Sequence, residues 1–326
     1  MRTRTLKDVA EAAGASAATV SYVLNNSPKA ISPQTRARVL QAARDLGYQP
    51  NLAARTLAAR HSHTVALWIA NAHAPFFAQV IRAFQPQARA GGYELIIREM
   101  AGDPGEMRSG LSGWPVDGIL AFQGAAYVHA FLEANPSPTV PFVSLGAYHE
   151  DCSDFVAIDL YAGARDAVRH LLMRGRRVAF LLPEGSTVPG EARHAAYHAV
   201  MDEAGLPPEV IAVPTKQRAD VRQALKAYLG RHGCPDGLFC YNDDMALGAY
   251  RGLCDLGLRV PEQVALVGCD GIEDTEYLER PLSTIVQPVE EMCRLGWQFL
   301  ENRMRDPALR AQRVTVTPAL VVRDSS

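Results

Sequence analysis

Two groups of residues in this sequence have the types and spacing to do chemistry. Near the N-terminus, Ala17, Ala18, Ser21 and Tyr22 follow a glycine at helical spacing, with Thr19 beside them. The Thr19 and Ser21 hydroxyls suit phosphate oxygens, while a methyl group or a phenol can meet a base edge, so this group fits a nucleic-acid surface. In the C-terminal half, Asp270 closes an apolar run and can accept hydrogen bonds from a pair of vicinal hydroxyls. Asn242 offers both a donor and an acceptor, and Phe239 flanks it. An aspartate, an amide and an aromatic face together describe a polyol or sugar site.

Covalent and metal chemistry have no comparable support. The chain holds no G-x-S-x-G, G-x-x-x-x-G-K-[ST], H-E-x-x-H or G-x-G-x-x-G word. Its nine histidines stand singly, without ligand spacing, and the acidic run from Asp270 to Glu276 lacks the alternation of a calcium loop. A binding protein without metal or cofactor is expected, not an enzyme.

The first group needs a scaffold, and its neighbours provide one. Thr5 can cap a helix with Asp8 in the capping-box position, and Val9, Ala10 and Ala13 give that helix an apolar face of small residues. Gly14 supplies the turn, where a residue without Cβ accepts positive φ. Ser16 caps a second helix through Leu24, whose Val20, Val23 and Leu24 turn inward and leave Ala17, Ala18, Ser21 and Tyr22 outside. Ser32 and Pro33 open a third helix through Val39, Leu40, Ala43 and Leu46, stopping at Gly47. Asn51 then caps one more short segment, Leu52 to Ala59.

From His63 the pattern changes. Continuous apolar runs at 64–70, 93–97, 117–122 and 140–145 alternate with helical stretches, and the alternation restarts with a helix at 162–174 and strands at 177–182, 210–213, 237–241 and 264–268. Such runs imply parallel sheets covered on both faces. Ligands in such sheets bind beyond the carboxyl ends of the strands, where Asn242 and Asp270 fall.

Charge separates the same two regions. Residues 1–60 hold nine Lys and Arg against three Asp and Glu, whereas the whole chain carries a net charge of −2, so the remainder is strongly acidic. A basic head on an acidic body suits polyanion binding by the head alone. The six cysteines are scattered with no C-x-x-C, which reads as reduced core thiols in a cytosolic setting, and no apolar run reaches membrane length.

The words Thr5-Leu-Lys-Asp-Val-Ala10, Ala13-Gly14, Thr19-Val-Ser21, Leu24-Asn25, Gly47-Tyr48, Pro50-Asn51 and Ala54-Arg-Thr-Leu57 resemble the lactose-repressor (LacI) family of bacterial transcription regulators. Asn242-Asp-Asp-Met-Ala-Leu-Gly248, Gly268-Cys-Asp270 and Arg323-Asp-Ser325 carry the likeness through the body. The resemblance implies an N-terminal all-α helix-turn-helix head (1–50), a hinge helix and linker (51–62), and an α/β body (63–326). That body would be like a periplasmic binding protein, with two interleaved, doubly wound parallel-sheet subdomains. It implies a dimeric regulator, most simply a repressor, cytoplasmic and nucleoid-associated, binding double-stranded palindromic operator DNA and controlled by a sugar-like small-molecule effector. A regulator controlled mainly by a protein partner is the alternative. Some relatives add a leucine-heptad tail that makes tetramers; the sequence runs to Ser326 without heptads, so a dimer is the expectation.

By the resemblance, Thr5, Ser16, Ala17, Ala18, Thr19, Ser21, Tyr22, Asn25, Ala54, Arg55 and Leu57 contact DNA. Phe76 and Phe77 stack on the effector and Arg193 pairs with its oxygens, joining Phe239, Asn242 and Asp270. Three departures stand out: Cys269 replaces a common aromatic, Gly146 replaces a polar ligand contact, and 183–190 lacks the second arginine of purine-binding relatives.

The hinge carries the first prediction. Nine residues are too few to hold a helix alone in water, where ~12–15 are needed, so the expectation is folding on operator; the resemblance implies that the Leu57 side chain wedges into a central minor-groove step. Leu57→Ala should weaken binding to operator strongly and to random DNA little, measured by anisotropy titration of both duplexes. Equal losses on the two would refute the wedge.

Overall fold

The computed structural model describes residues 4–24, 29–48, 61–109, 115–136, 138–147, 153–186 and 191–326. Asn25, the hinge residues Ala54, Arg55 and Leu57, and Cys152 lie outside the described residues. The chain divides into two units, Met1–Ser62 and His63–Ser326.

In the first unit, local hydrogen bonds start and stop each helix. Thr5 and Asp8 form the reciprocal capping box of α1 (Leu6–Ala13), the Thr5 N–H donating to Asp8 Oδ2 at 2.7 Å and the Asp8 N–H to Thr5 Oγ1 at 3.4 Å. Gly14 ends α1 at φ 55°, in the left-handed region that favours glycine. The Ser16 hydroxyl accepts from the Thr19 N–H at 3.1 Å and begins α2 (Ala17–Leu24). Ser32 caps α3 (Pro33–Asp45), with Pro33 in its first turn. Val9, Ala10, Ala13, Val20, Val23, Val39, Ala42 and Ala43 close the core of this unit. Leu40 stands outside this core, 37% exposed. The buried stripe of α3 runs through Val39, Ala42 and Ala43, and Leu40 lies about a quarter turn off it.

The second unit is built on two six-stranded sheets. One has the order β11-β5-β4-β3-β1-β2, from β1 (Thr64–Ile69), β2 (Glu94–Glu99), β3 (Gly118–Phe122), β4 (Phe142–Gly146), β5 (Asp154–Ile158) and β11 (Arg313–Val316). Every pairing in it is parallel. The other has the order β12-β10-β9-β8-β6-β7, from β6 (Val178–Pro183), β7 (Glu209–Val213), β8 (Gly237–Cys240), β9 (Ala265–Asp270), β10 (Ser283–Val286) and β12 (Ala319–Val321). Only β12 runs antiparallel to its neighbour.

Helices follow the strands: α4 (Pro75–Gly91) after β1, α5 (Ala125–Ala134) after β3, α6 (Leu160–Leu172) after β5, α7 (Ala192–Glu203) after β6, α8 (Arg218–His232) after β7, α9 (Asp243–Asp255) after β8 and α10 (Val289–Arg305) after β10. Chain order alone would put α10 with the second sheet, yet it packs on β3, β4 and β5 of the first and against α4. The backbone therefore passes between the sheets three times, at 158–160, 286–289 and 316–319. The short strands β10, β11 and β12 that mark two of these crossings were not anticipated as strands.

Two details of the sequence reading change. Cys240, Cys269 and Cys293 are buried, but Cys234 and Cys254 are exposed, so the thiols are not all in the core. His194 and His198, one turn apart on α7, are not solitary: their Nε2 atoms lie 3.0 Å apart. Burial, then the neighbouring His194, lowers the pKa of His198. Among the described residues no three metal-binding side chains gather, and no helix is long and apolar enough to cross a membrane.

One ion pair ties the end of α10 and the loop after it to the start of β5. Arg303 of α10 donates to both Asp154 carboxylate oxygens, at 3.0 and 2.9 Å, and also to the carbonyl oxygens of Pro307, Leu309 and Arg310. The Asp154 side chain is 1% exposed. Arg303→Met leaves that carboxylate buried without its cation, and the expected loss is about 3–5 kcal/mol of body stability, read by chemical denaturation. A loss within the error of the measurement would show that water takes the arginine's place.

Candidate functional site

A cavity of about 690 Å³ opens in the second unit where strands of both sheets end. In each sheet the strand order reverses once, between β1 and β3 and between β6 and β8. Crevices at such reversals are where open α/β sheets take ligands. The first sheet contributes Ala70, Asn71 and the start of α4 after β1, and Gln123 after β3. The second contributes Arg193 on α7, Thr215 to Arg218 after β7, Tyr241 and Asn242 after β8, and Asp270 at the end of β9.

Five of the six residues named from the sequence line this cavity: Phe76, Phe77, Arg193, Asn242 and Asp270. Phe76 and Phe77 do so from core positions, only 4% and 8% exposed, with ring centroids 5.4 Å apart. Phe239 does not reach the cavity. It is fully buried, stacked on Phe180 with centroids 4.8 Å apart, because pleat alternation along β8 turns its side chain into the core.

Arg193 is held before any ligand arrives. Its Nε donates to Glu191 at 2.8 Å, one Nη donates to the Tyr241 carbonyl oxygen at 2.8 Å, and the guanidinium lies 3.6 Å from the Tyr241 ring centroid. Burial opposes its charge, but Tyr241, Glu191, Cys269 and Asp270 outweigh that and raise its pKa. Asn242 spends its carbonyl oxygen on the Met245 N–H at 3.0 Å, capping α9, so its amide N–H groups remain for a ligand.

Asp270 is buried, takes φ 134°, and accepts from Gln287 Nε2 at 2.8 Å. Burial and the charge of Asp243 push its pKa well up, against the pull of Arg193. The shift favours the protonated form, and a carboxyl in that form both donates and accepts. Beside it, the Asp243 carboxylate accepts from the N–H groups of Gly271 at 2.7 Å and Ile272 at 2.9 Å and from the Thr284 hydroxyl at 2.6 Å. Burial pushes Asp243 up to about 6, while those hydrogen bonds pull the other way.

Several lining residues escaped the sequence reading: Asn71, His73, Gln123, Lys216 and Tyr241 among them. Tyr241 faces two cations, Arg193 and Lys216, the latter's Nζ 4.7 Å from its ring centroid. Gln123 answers the departure at Gly146. A Cβ at Gly146, itself at φ 130°, would sit 2.9 Å from Gln123 Cγ, so the missing side chain makes room for a polar one from the next strand. Like Asp270, Gln123 takes positive φ, at 61°. Non-glycine residues hold such conformations at a cost of order 1–3 kcal/mol and concentrate at binding sites. Gln287 Oε1 is buried with no partner, another signal invisible in the sequence.

On the first unit, Ser16, Ala17 and Ala18 are exposed along the start of α2, and Thr19, Ser21 and Tyr22 are half-buried. Thr5 is exposed at the start of α1. The Tyr22 hydroxyl accepts from Lys29 Nζ at 2.9 Å.

Comparison with known proteins matches these two surfaces to two family models. Residues 5–51 match that of the bacterial regulatory proteins of the lacI family, and residues 168–326 that of a periplasmic binding protein-like domain. The chain is 31% identical over 329 residues to the ribose operon repressor of Escherichia coli K12, covering 99% of each. The chain belongs to the LacI family. It is also 30% identical over 331 residues to the HTH-type transcriptional repressor PurR of Erwinia tasmaniensis, covering 98% of this chain and 96% of that one. Among solved structures, the lac repressor dimer bound to operator and the anti-inducer ONPF superposes with a TM-score of 0.85 at 25% identity over 99% of each chain. A LacI-family regulator from Enterococcus faecium with bound ribose gives 0.72 at 25% identity, covering 81% of this chain and 98% of that one. The helix-turn-helix head and the two-subdomain α/β body are the fold of the family.

Gly268 tests how tightly the Asp243 anchor is set. A Cβ there would lie 2.1 Å from Asp243 Oδ1, which cannot retreat without giving up the Thr284 bond. Gly268→Ala should cost about 1–3 kcal/mol, the range for overpacking, and lower the thermal midpoint of the body. An unchanged midpoint would mean that α9 can shift freely.

Proposed function

We propose that this protein is a homodimeric transcriptional repressor that binds a palindromic operator through its helix-turn-helix heads and is governed by a sugar or other polyol in the cleft. The observation that carries the reading is the convergence of Arg193, Asn242 and Asp270 on one cavity bordered by Phe76 and Phe77. A charged fork, amide N–H groups and a carboxyl acceptor meet hydroxyls and ring oxygens, while an aromatic edge covers an apolar sugar face. The relatives support this effector class: one is named for ribose, one structure holds ribose, and a transcriptional regulator CelR structure, 29% identical, is a complex with cellobiose. They do not favour control chiefly by a protein partner. Their names describe repressors, in keeping with binding and not turnover.

The DNA contacts are Thr5, Ser16, Ala17, Ala18, Thr19, Ser21 and Tyr22, with Asn25 and the hinge residues Ala54, Arg55 and Leu57 from the segments outside the described residues. Residues 1–50 act as the head, 51–62 as hinge and linker, and 63–326 as the effector-binding and dimerisation body. The setting is the cytoplasm, on the nucleoid.

The test is an operator titration with and without pentoses, hexoses and disaccharides, using operator selected from a random library by the protein itself. One class of sugar should change operator affinity severalfold or more. Arg193→Ala and Asp270→Ala should each abolish that response while leaving affinity without sugar within about twofold, since neither residue belongs to the head. A normal dose response in both variants would place the effector elsewhere.

A further inference from the structure

The exposed start of α2 offers little that can discriminate bases, since Ala17 and Ala18 present only methyl groups. The small hydroxyls of Thr19 and Ser21 suit phosphate, and the larger polar group, Tyr22, is engaged. Lys29, seven residues on, places its Nζ 2.9 Å from the Tyr22 hydroxyl oxygen and 4.2 Å from the ring centroid. An ammonium has three donors and no acceptor, so Lys29 donates and the Tyr22 oxygen accepts. The phenol keeps its own O–H to donate outward, and the ammonium keeps two further N–H groups. Attraction between the cation and the ring holds the lysine over the tyrosine, so less ordering remains to be done on binding.

We propose that Lys29 and Tyr22 form one base-reading unit that presents donors only, and that it selects guanine at one position of each half-site. The inference rests on the reading of the head as a DNA-binding domain. In the major groove guanine presents two neighbouring acceptors, N7 and O6, and no donor. Adenine sets an amino donor beside its N7 and cytosine presents an amino donor, so each opposes donor to donor. Thymine offers one acceptor beside a methyl group and leaves half of the unit unmatched. The alanines at 17 and 18 leave discrimination at this position to the pair. The ordinary role of a lysine in such a head is contact with phosphate, which would carry no base preference.

The experiment is selection from a randomised palindromic library by the full-length protein, followed by affinity measurements on single-base variants of the selected site at several salt concentrations. Wild type should enrich guanine at one position per half-site. Tyr22→Phe keeps the ring beneath Lys29 but removes the hydroxyl, and Lys29→Met removes the charge while keeping a long side chain. Each should reduce the preference for guanine at that one position, on the order of tenfold, and leave the others unchanged. Adenine or cytosine at the position these variants alter would overturn the proposal. So would a Lys29→Met protein that loses affinity for all sequences alike, with a shallower salt dependence and base preference intact. Failure of the wild type to enrich any sequence would overturn the DNA-binding reading itself, an outcome distinct from both.

Discussion

The cleft depends on where one carboxylate is buried. Asp243 opens α9 with its side chain fully enclosed, and it gathers the Gly271 and Ile272 amides and the Thr284 hydroxyl. Those donors belong to the segment after β9 and to β10, so one side chain ties two consecutive parts of the chain around the second sheet to a helix N-terminus. An enclosed carboxylate is costly unless its lone pairs are used, and here three donors use them. The arrangement requires Gly268 to lack a side chain and the chain to turn sharply at Asp270 and Gly271, both at positive φ. Asp270 is thereby fixed at the cleft wall with its carboxyl near a second acid, and burial and that neighbour together favour its protonated form. The anchor that builds the wall also sets the chemistry of the group presented on it.

The same wall leads into a crossing between the sheets. Gln287, in the passage from β10 to α10, donates its side-chain amide to Asp270 Oδ1 and its backbone N–H to the Asp270 carbonyl oxygen. A ligand hydroxyl that takes over the carboxyl competes with an amide located where one subdomain hands the chain to the other. Of the three crossings, this is the one in hydrogen-bond contact with a proposed effector residue. Differential contact of this kind is what a ligand must have if it is to bias one arrangement of the subdomains over another.

Local chemistry was legible in the sequence, and packing across elements was not. The capping box of Thr5 and Asp8, the left-handed Gly14 and the caps at Ser16 and Ser32 follow from residue type at short range, and they stand as read. Asn242 and Asp270 were legible because each ends a recognisable apolar run. Phe239 misled because an aromatic near a strand end reads as a site residue, while the pleat alone decides which face it takes. Tyr241, two residues on, escaped because it lies just past the end of β8, where the pleat no longer decides, and lines the cavity. Gln123 needed two facts from different strands: its own positive φ and the absence of a side chain at Gly146. The short strands β10 to β12 carry too few residues to show a period, and β11 finds its partner β5 only after a return of the chain over more than 100 residues.

Charge distribution adds a constraint that neither site shows alone. The head concentrates positive charge while the body is strongly acidic, although the chain as a whole carries only −2. A polyanion is drawn to the first and repelled by the second, so contact that ignores sequence falls to the head. On the start of α2, with alanines at 17 and 18, discrimination among sequences cannot come from many polar side chains. It has to come from few groups held in defined positions, and among the described residues the Tyr22–Lys29 pair answers that description. Affinity from charge and selectivity from a preset pair are then separable: salt acts mainly on the first, and base identity on the second.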